Sequence, residues 1–385
     1  MIYHETEHGT IYCGDSLDVL KGMADESVDC CITSPPYWGL RDYGTAKWEG
    51  GDAECDHIQS ENKHGGDRAD RNQEGYKKQY RNICPKCGAI RKDKQLGLEK
   101  TPEEYVANMV QLFREVKRVL KDDGVLWLNL GDSYASNGCY LHSWMEKHPE
   151  KKHLHTENAE KYKDTPAFRG GEYRIKPKDL VGIPWRVALA LQADGWWLRQ
   201  DIIWHKPNPM PESVRDRCTK SHEYIFLLSK QARYYYDQDA CREKTGNEIS
   251  EEEYAKLDGR RHFHEHDLTQ GMMQYNPEFK SATHPLGRNK RSVWTVATKP
   301  YKEAQFATYP PDLILPCVKT ARPDAVILDP FFGSGTTGLV AVQNGRRYIG
   351  IDLNPEYCNI AAKRIDSELQ QADIFMGLPA QRSDK

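Results

Sequence analysis

The sequence predicts a doubly wound α/β sheet, and three observations predict it. Val326 to Leu328 is a short apolar run that stops at Asp329-Pro330 and gives way to the glycines Gly333 and Gly335, a helical segment, and a second apolar run ending in Asp352. Val28 to Thr33 is a second apolar, β-branched run that leads straight into Ser34-Pro35-Pro36-Tyr37. Elsewhere such runs alternate with segments of helical period, the signature of helices packed on a mostly parallel sheet.

The glycine-rich stretch carries the most chemistry. Glycine accepts backbone angles that place the chain close to a ligand, and a helix beginning near Thr336 would pack Leu339, Val340 and Val342 on the sheet before Gly345 closes it. Asp352 falls at the carboxyl end of the next strand, where an acid can accept hydrogen bonds from ribose hydroxyls. The turn lacks the third glycine of a dinucleotide fingerprint and the Gly-Lys-Ser/Thr of a phosphate loop. A cofactor without a pyrophosphate fits better, and S-adenosylmethionine leads.

In chain order, Thr10 to Cys13 reads as a strand, followed by a turn at Gly14-Asp15 and a helix carrying Leu17, Val19, Leu20 and Met23. After Val28 to Thr33, two prolines hold the chain extended and donate no hydrogen bonds, so the Ser34 hydroxyl and the proline carbonyls are acceptors of fixed direction. Such acceptors suit a planar amine, which Tyr37 could stack upon; the plainer reading is a proline-stiffened loop. Cys55-Asp-His57 and Cys84-Pro-Lys-Cys87-Gly have the spacings of zinc ligands, with a redox pair or unrelated cysteines as the alternative. The polar stretch 60–82 separates the two halves.

Thr101-Pro-Glu-Glu104 starts a helix whose buried stripe is Val106, Met109, Phe113, Val116 and Leu120, and a strand over Val125 to Leu130 ends at Asp132. A helix is expected over Ile183 to Ala193 and strands over Trp196 to Trp204 and Ser221 to Leu228. Lys206 and Asn208 could reach phosphate or a base, or simply form a surface turn, and His148, His153 and His155 read as a solvated loop. Residues 231–300 mix Tyr, His, Arg and Lys, the composition either of a DNA contact or of a charged exposed loop region, up to a short apolar run at Ser292 to Ala297. The last helix starts after Asn354 at Pro355 and is expected to reach Gln370, with a frayed tail from 373 to 385.

The global numbers agree with a large polar-decorated domain. The chain has 385 residues, 38% of them hydrophobic, with a net charge of -3 that excludes a uniformly basic nucleic-acid binder. A mean hydropathy of -0.79 points to polar insertions. Eleven cysteines, an odd number without regular spacing, fit a reducing compartment. No apolar run is long enough to span a bilayer and the N-terminus has no signal-peptide pattern, so a cytoplasmic protein with no membrane partner is expected.

Ser34-Pro-Pro-Tyr37 near the N-terminus, paired with Asp329-Pro-Phe-Phe-Gly-Ser-Gly-Thr336 near the C-terminus, resembles the amino-group DNA methyltransferases of the β arrangement, in which the catalytic motif precedes the cofactor motif. The resemblance implies a methyltransferase-type sheet with a zinc-bearing insertion and a target-recognition region. The domains it implies are a catalytic half over 1–44 and 96–230, the insertion over 45–95, target recognition over 231–300, and a cofactor-binding half over 301–372. It implies methyl transfer from S-adenosylmethionine to a base flipped out of DNA. Ser34, Pro35, Pro36 and Tyr37 are then catalytic, and Asp15, Tyr309, Asp329, Phe331, Phe332, Gly333, Ser334, Gly335, Thr336 and Asp352 bind the cofactor. Cys55, His57, Cys84 and Cys87 would hold a structural zinc.

Serine at the first motif position is commoner in cytosine-N4 enzymes of the family and Asp or Asn in adenine-N6 enzymes, which favours cytosine N4 with adenine N6 as the alternative. A homodimer and a cognate restriction endonuclease are further partners of such enzymes, in a bacterial cell or phage-infected host. Pro316-Cys317 matches the nucleophile dipeptide of cytosine-C5 enzymes, but it lies in an apolar helical stretch before the glycine-rich turn and reads as core. A protein-glutamine methyltransferase would carry the cofactor motif first. A non-catalytic zinc-containing nucleic-acid-binding protein is the reading from a different class.

Overall fold

The computed structural model describes residues 1–39, 46–57, 83–93, 95–135, 175, 178–246, 248, 250–252, 284–299 and 309–376. The stretch 60–82, the three histidines between 148 and 155, and the tail after 376 lie outside the described residues. Packing divides the chain into two units. The first comprises Met1–Pro35, Met109–Asp132 and Gly182–Lys385, and the second comprises Pro36–Asn108 and Ser133–Val181.

The first unit is built on a nine-stranded sheet. Its strands are β1 (Ile2–Thr6), β2 (Gly9–Cys13), β3 (Val28–Thr33), β6 (Leu120–Leu130), β7 (Trp197–His205), β8 (His222–Ser229), β9 (Val293–Thr295), β10 (Val326–Asp329) and β11 (Arg347–Asp352). Their spatial order is β1-β2-β11-β10-β3-β6-β8-β7-β9. The run from β2 through β6 is parallel, and among the described strands of this sheet β1 and β8 run antiparallel to the others. The carboxyl ends of β2, β11, β10, β3, β6, β7 and β9 therefore share one edge.

The central strands are nearly continuous in Val, Ile, Leu and Cys because both faces are covered, and Ile11, Cys31, Leu126, Leu128, Ile327 and Leu328 are fully buried. Helices α1 (Ser16–Lys21), α2 (Pro102–Val119), α3 (Ile183–Ala193), α4 (Pro311–Lys319), α5 (Thr336–Gln343) and α6 (Pro355–Met376) complete the alternation. Cys317 is 1% exposed in α4, and burial pushes its thiol well above the usual range. It is a core residue.

Several boundaries fall where local chemistry puts them. Thr101 caps α2 by accepting from the Glu104 amide at 2.9 Å, although the Glu104 carboxylate reaches back to Lys100 rather than to the cap. The buried stripe of α2 runs Tyr105, Met109, Leu112, Phe113, Val116 and Val119, so Tyr105 takes the inward place expected of its neighbour Val106. Asn354 caps α6 through the Glu356 amide at 2.8 Å, and that helix continues past Gln370 to Met376. Edge strand β1 is an addition to the sequence expectation, because its alternation is short and its apolar residues Ile2 and Tyr3 stay exposed.

The second unit holds a two-stranded antiparallel ribbon of β4 (Lys47–Glu49) and β5 (Ile90–Lys92). Within that unit, Trp38 donates its indole N–H to the Glu99 carbonyl at 3.0 Å and the Tyr105 hydroxyl donates to the Pro36 carbonyl at 2.9 Å.

Candidate active site

The chain crosses over in opposite directions from β10 and from β3. β10 leads through α5 to β11 on one side, whereas β3 leads through α2 to β6 on the other. The two strands pair directly, with Cys30 opposite Ile327 and Cys31 opposite Leu328. This makes their carboxyl ends a topological switch point, the usual ligand crevice of such sheets. Ser34 follows β3 and the glycine-rich turn follows β10, so residues separated by about 300 positions emerge from adjacent strands. Asp15 and Asp352 leave β2 and β11 at the same edge.

Two carboxylates organise the cofactor side. Asp352 is half-buried; one of its oxygens accepts from the Gly333 amide at 2.8 Å and the other from the Asn354 amide at 2.8 Å. A carboxylate offers about four lone-pair sites, so capacity remains for hydroxyl donors. Burial pushes its pKa up to about 6, with a smaller contribution from the nearby Asp329 charge, against the lowering effect of the two amides.

Asp329 is 1% exposed and differently committed. Its Oδ1 accepts from the Thr33 hydroxyl at 2.6 Å and the Phe331 amide at 3.0 Å. Its Oδ2 accepts from the Thr337 hydroxyl at 2.5 Å and the Tyr309 hydroxyl at 3.0 Å. Tyr309 and Thr337 also touch through their hydroxyls. Burial raises the Asp329 pKa while these hydrogen bonds oppose the rise. Four protein donors fill its four sites, so it ties together β3, the turn, α5 and Tyr309, two residues before α4.

The turn itself is held from behind. Gly333 and Gly335 have φ of 51° and 77°, and a Cβ on Gly335 would lie 2.8 Å from that of Ala361. Arg364 of α6 donates to the Ser334 carbonyl at 3.2 Å, the Ser334 hydroxyl at 3.3 Å and the Thr336 hydroxyl at 2.9 Å. The Ser334 and Thr336 side chains thus face Arg364. Phe332 is 3% exposed, stacks on Tyr348 with centroids 5.7 Å apart, and fills the space that a Cβ on Gly350 or Gly338 would need. Phe331 is half-buried. The Asp15 carboxylate accepts from the Asp18 amide at 3.1 Å, capping α1, and Asp15 also lines a surface hollow with Met1, Tyr12 and Gly14.

In the first unit Ser34 is half-buried and Pro35 buried; in the second, Pro36 and Tyr37 are half-buried. Asp132 caps α3, accepting from the Gly182 amide at 2.9 Å and the Ile183 amide at 3.1 Å. Asn208 brackets Thr298 with both ends of its amide, at 3.1 and 3.0 Å, so it braces a turn. Lys206 pairs with Glu223. In the second unit the ligand atoms of Cys55, His57, Cys84 and Cys87 all lie within 4.8 Å of one another. Cys55 and Cys84 sulfurs are 3.7 Å apart, the Cys87 sulfur is 3.6 Å from His57 Nδ1, and Trp48 stacks on the His57 ring at 4.3 Å.

Sequence reasoning missed Thr33, Thr337 and Arg364. Thr33 and Thr337 carry a faint signal, as polar residues within apolar elements next to the motifs. Arg364 carries none, because it resembles any charged residue on an amphipathic helix.

A glycine-rich turn after β10, a strand-end acid on β11 and Ser34-Pro35 after β3, all at one edge of the first unit's sheet, form the architecture of a methyltransferase. The fold is shared with a solved structure, the PvuII DNA methyltransferase (cytosine-N4-specific), at a TM-score of 0.52 and 17% identity, covering 96% of this chain and 92% of that one. Residues 28–363 match the DNA methylase family N6_N4_Mtase, and the chain belongs to that family. It is 39% identical over 365 residues to the type II methyltransferase M.Cfr9I of Citrobacter freundii, covering 94% of this chain and 90% of that one. It is also 39% identical over 356 residues to the type II methyltransferase M.SmaI of Serratia marcescens, covering 92% and 90%. The protein is therefore an enzyme whose substrate is DNA and whose cofactor is S-adenosylmethionine. Among the described residues, no helix is long and apolar enough to cross a membrane.

Proposed function

We propose that the enzyme methylates the exocyclic N4 of a cytosine flipped out of duplex DNA. The observation that carries this reading is the direct pairing of β3 with β10, which brings the Ser34 loop and the glycine-rich turn to one edge. S-adenosylmethionine, as methyl-donating substrate, supplies an electrophilic methyl group. Ser34 and the Pro35 carbonyl accept from the amino group and draw its lone pair out of conjugation, so that the new N–C bond forms as the S–C bond breaks. The sulfur keeps the pair of the broken bond, and the N4 centre, cationic once methylated, loses one proton to solvent. Tyr37 stacks on the flipped base, a contact worth about 1 to 3 kcal/mol against an unstacking cost of a few. Asp352 takes the ribose hydroxyls, Asp15 the adenine end, Tyr309 closes over the methionine part, and the backbone of Phe331 to Thr336 cradles the donor, with Phe332 supporting the turn from the core. Serine at the first motif position favours cytosine N4; adenine N6 would use the same site.

Cys55, His57, Cys84 and Cys87 hold a structural zinc in this reading. Zinc–sulfur bonds of about 2.3 Å in a tetrahedron place sulfurs about 3.8 Å apart, which the spacing in the second unit matches. Four protein ligands leave no open position, so the metal closes the insertion and performs no chemistry. The first test is to transfer radiolabelled methyl groups to duplex DNA with wild type and Ser34→Ala while titrating S-adenosylmethionine by calorimetry. Loss of turnover with cofactor binding retained supports the assignment of Ser34; equal loss of both removes it.

A further inference from the structure

The Ser34 loop and the cofactor turn must be held in register for in-line transfer, and one side chain links them. Thr33 is the last residue of β3 and is 1% exposed. Its hydroxyl reaches across to the Asp329 carboxylate on β10 at 2.6 Å, while the same Oδ1 accepts from the Phe331 amide at the start of the turn. The backbone ladder between the two strands pairs Cys30 and Cys31 with Ile327 and Leu328 and no residue beyond them. Where the strands end, this side-chain bond continues the pairing between the catalytic strand and the cofactor strand.

We propose that Thr33 is a positioning residue for methyl transfer: through Asp329 it fixes the place of Ser34 relative to the glycine-rich turn. The inference rests on the reading of Ser34 above. Tyr309, Thr337 and Phe331 continue to satisfy Asp329 when Thr33 is changed, so the cofactor turn keeps most of its support. Valine is β-branched and of similar volume, and it preserves the strand while deleting one donor.

The test uses the full-length enzyme with Thr33→Val, Thr33→Ser and Ser34→Ala, measuring thermal midpoint, S-adenosylmethionine affinity by calorimetry, and kcat and KM on duplex DNA. A misplacement of the reacting groups by a fraction of an ångström to 1 Å predicts a fall in kcat of roughly 10- to 100-fold in Thr33→Val. Cofactor affinity should stay within about threefold, as expected when an interaction acts only in the transition state. Thr33→Ser should recover most of the lost kcat. Wild-type kcat in Thr33→Val alongside an inactive Ser34→Ala overturns the inference while sparing the reading of Ser34. So does a parallel loss of midpoint, cofactor affinity and kcat, or a serine variant as impaired as the valine. A fully active Ser34→Ala overturns the reading itself and this inference with it.

Discussion

Asp352 gives the cofactor site a pH dependence that can be followed in detail. Its pKa is raised from 3.8 to about 6, chiefly by burial. The sign for folding is that a raised carboxyl pKa makes the native state bind protons more readily than the unfolded chain. This group's contribution to stability therefore grows as pH falls from above 6 toward 4. Cofactor binding runs the other way. Ribose hydroxyls donate to the anion, so affinity should fall as the acid protonates, approaching tenfold per pH unit below about 6. Between pH 5 and 7 the α-carboxyl of the methionine part stays ionised and its amine stays protonated. Calorimetric titration of S-adenosylmethionine across that window should show a weakening of roughly tenfold at pH 5 relative to pH 7, with no loss of the fold. Asp352→Asn should bind more weakly at pH 7 and lose most of the pH dependence. A flat profile in wild type, or the same slope in the asparagine variant, would refute the assignment of Asp352 to the ribose.

Phe332→Ala empties the space between Gly338, Gly350 and Tyr348, and should destabilise the protein by about 3 to 5 kcal/mol in denaturant unfolding, the usual range for a buried phenylalanine. Gly335→Ala meets both a positive φ and Ala361, so thermal melting should show a lower midpoint, and calorimetry weaker cofactor binding. Cys84→Ser should lower the zinc content of purified protein, read by elemental analysis, without altering S-adenosylmethionine affinity. Zinc unchanged in that variant would show that the cluster is not the site.

Most of the sheet was legible because its strands are apolar runs ended by Gly, Pro or Asp. Val28–Thr33 and Ile183–Ala193 have the limits their sequences suggest. The glycine-rich turn and Ser34-Pro-Pro-Tyr37 were legible because sterically demanding turns restrict residue choice. The partnership of Thr33 with Asp329 was not, since a shared strand edge brings the two loops together without dictating which side chains hydrogen-bond across 296 positions. Asn208 reads from sequence equally as a ligand contact or as part of a surface turn, and its side chain braces a turn through Thr298. Strand β1 was missed because an exposed edge needs no apolar pattern.

The most direct test of the central claim is to incubate the enzyme with S-adenosylmethionine and genomic DNA, digest to nucleosides and identify the methylated species by mass spectrometry. N4-methylcytosine, absent with Ser34→Ala, is the predicted result. N6-methyladenine would contradict the choice of base drawn from Ser34, and 5-methylcytosine would contradict the mechanism.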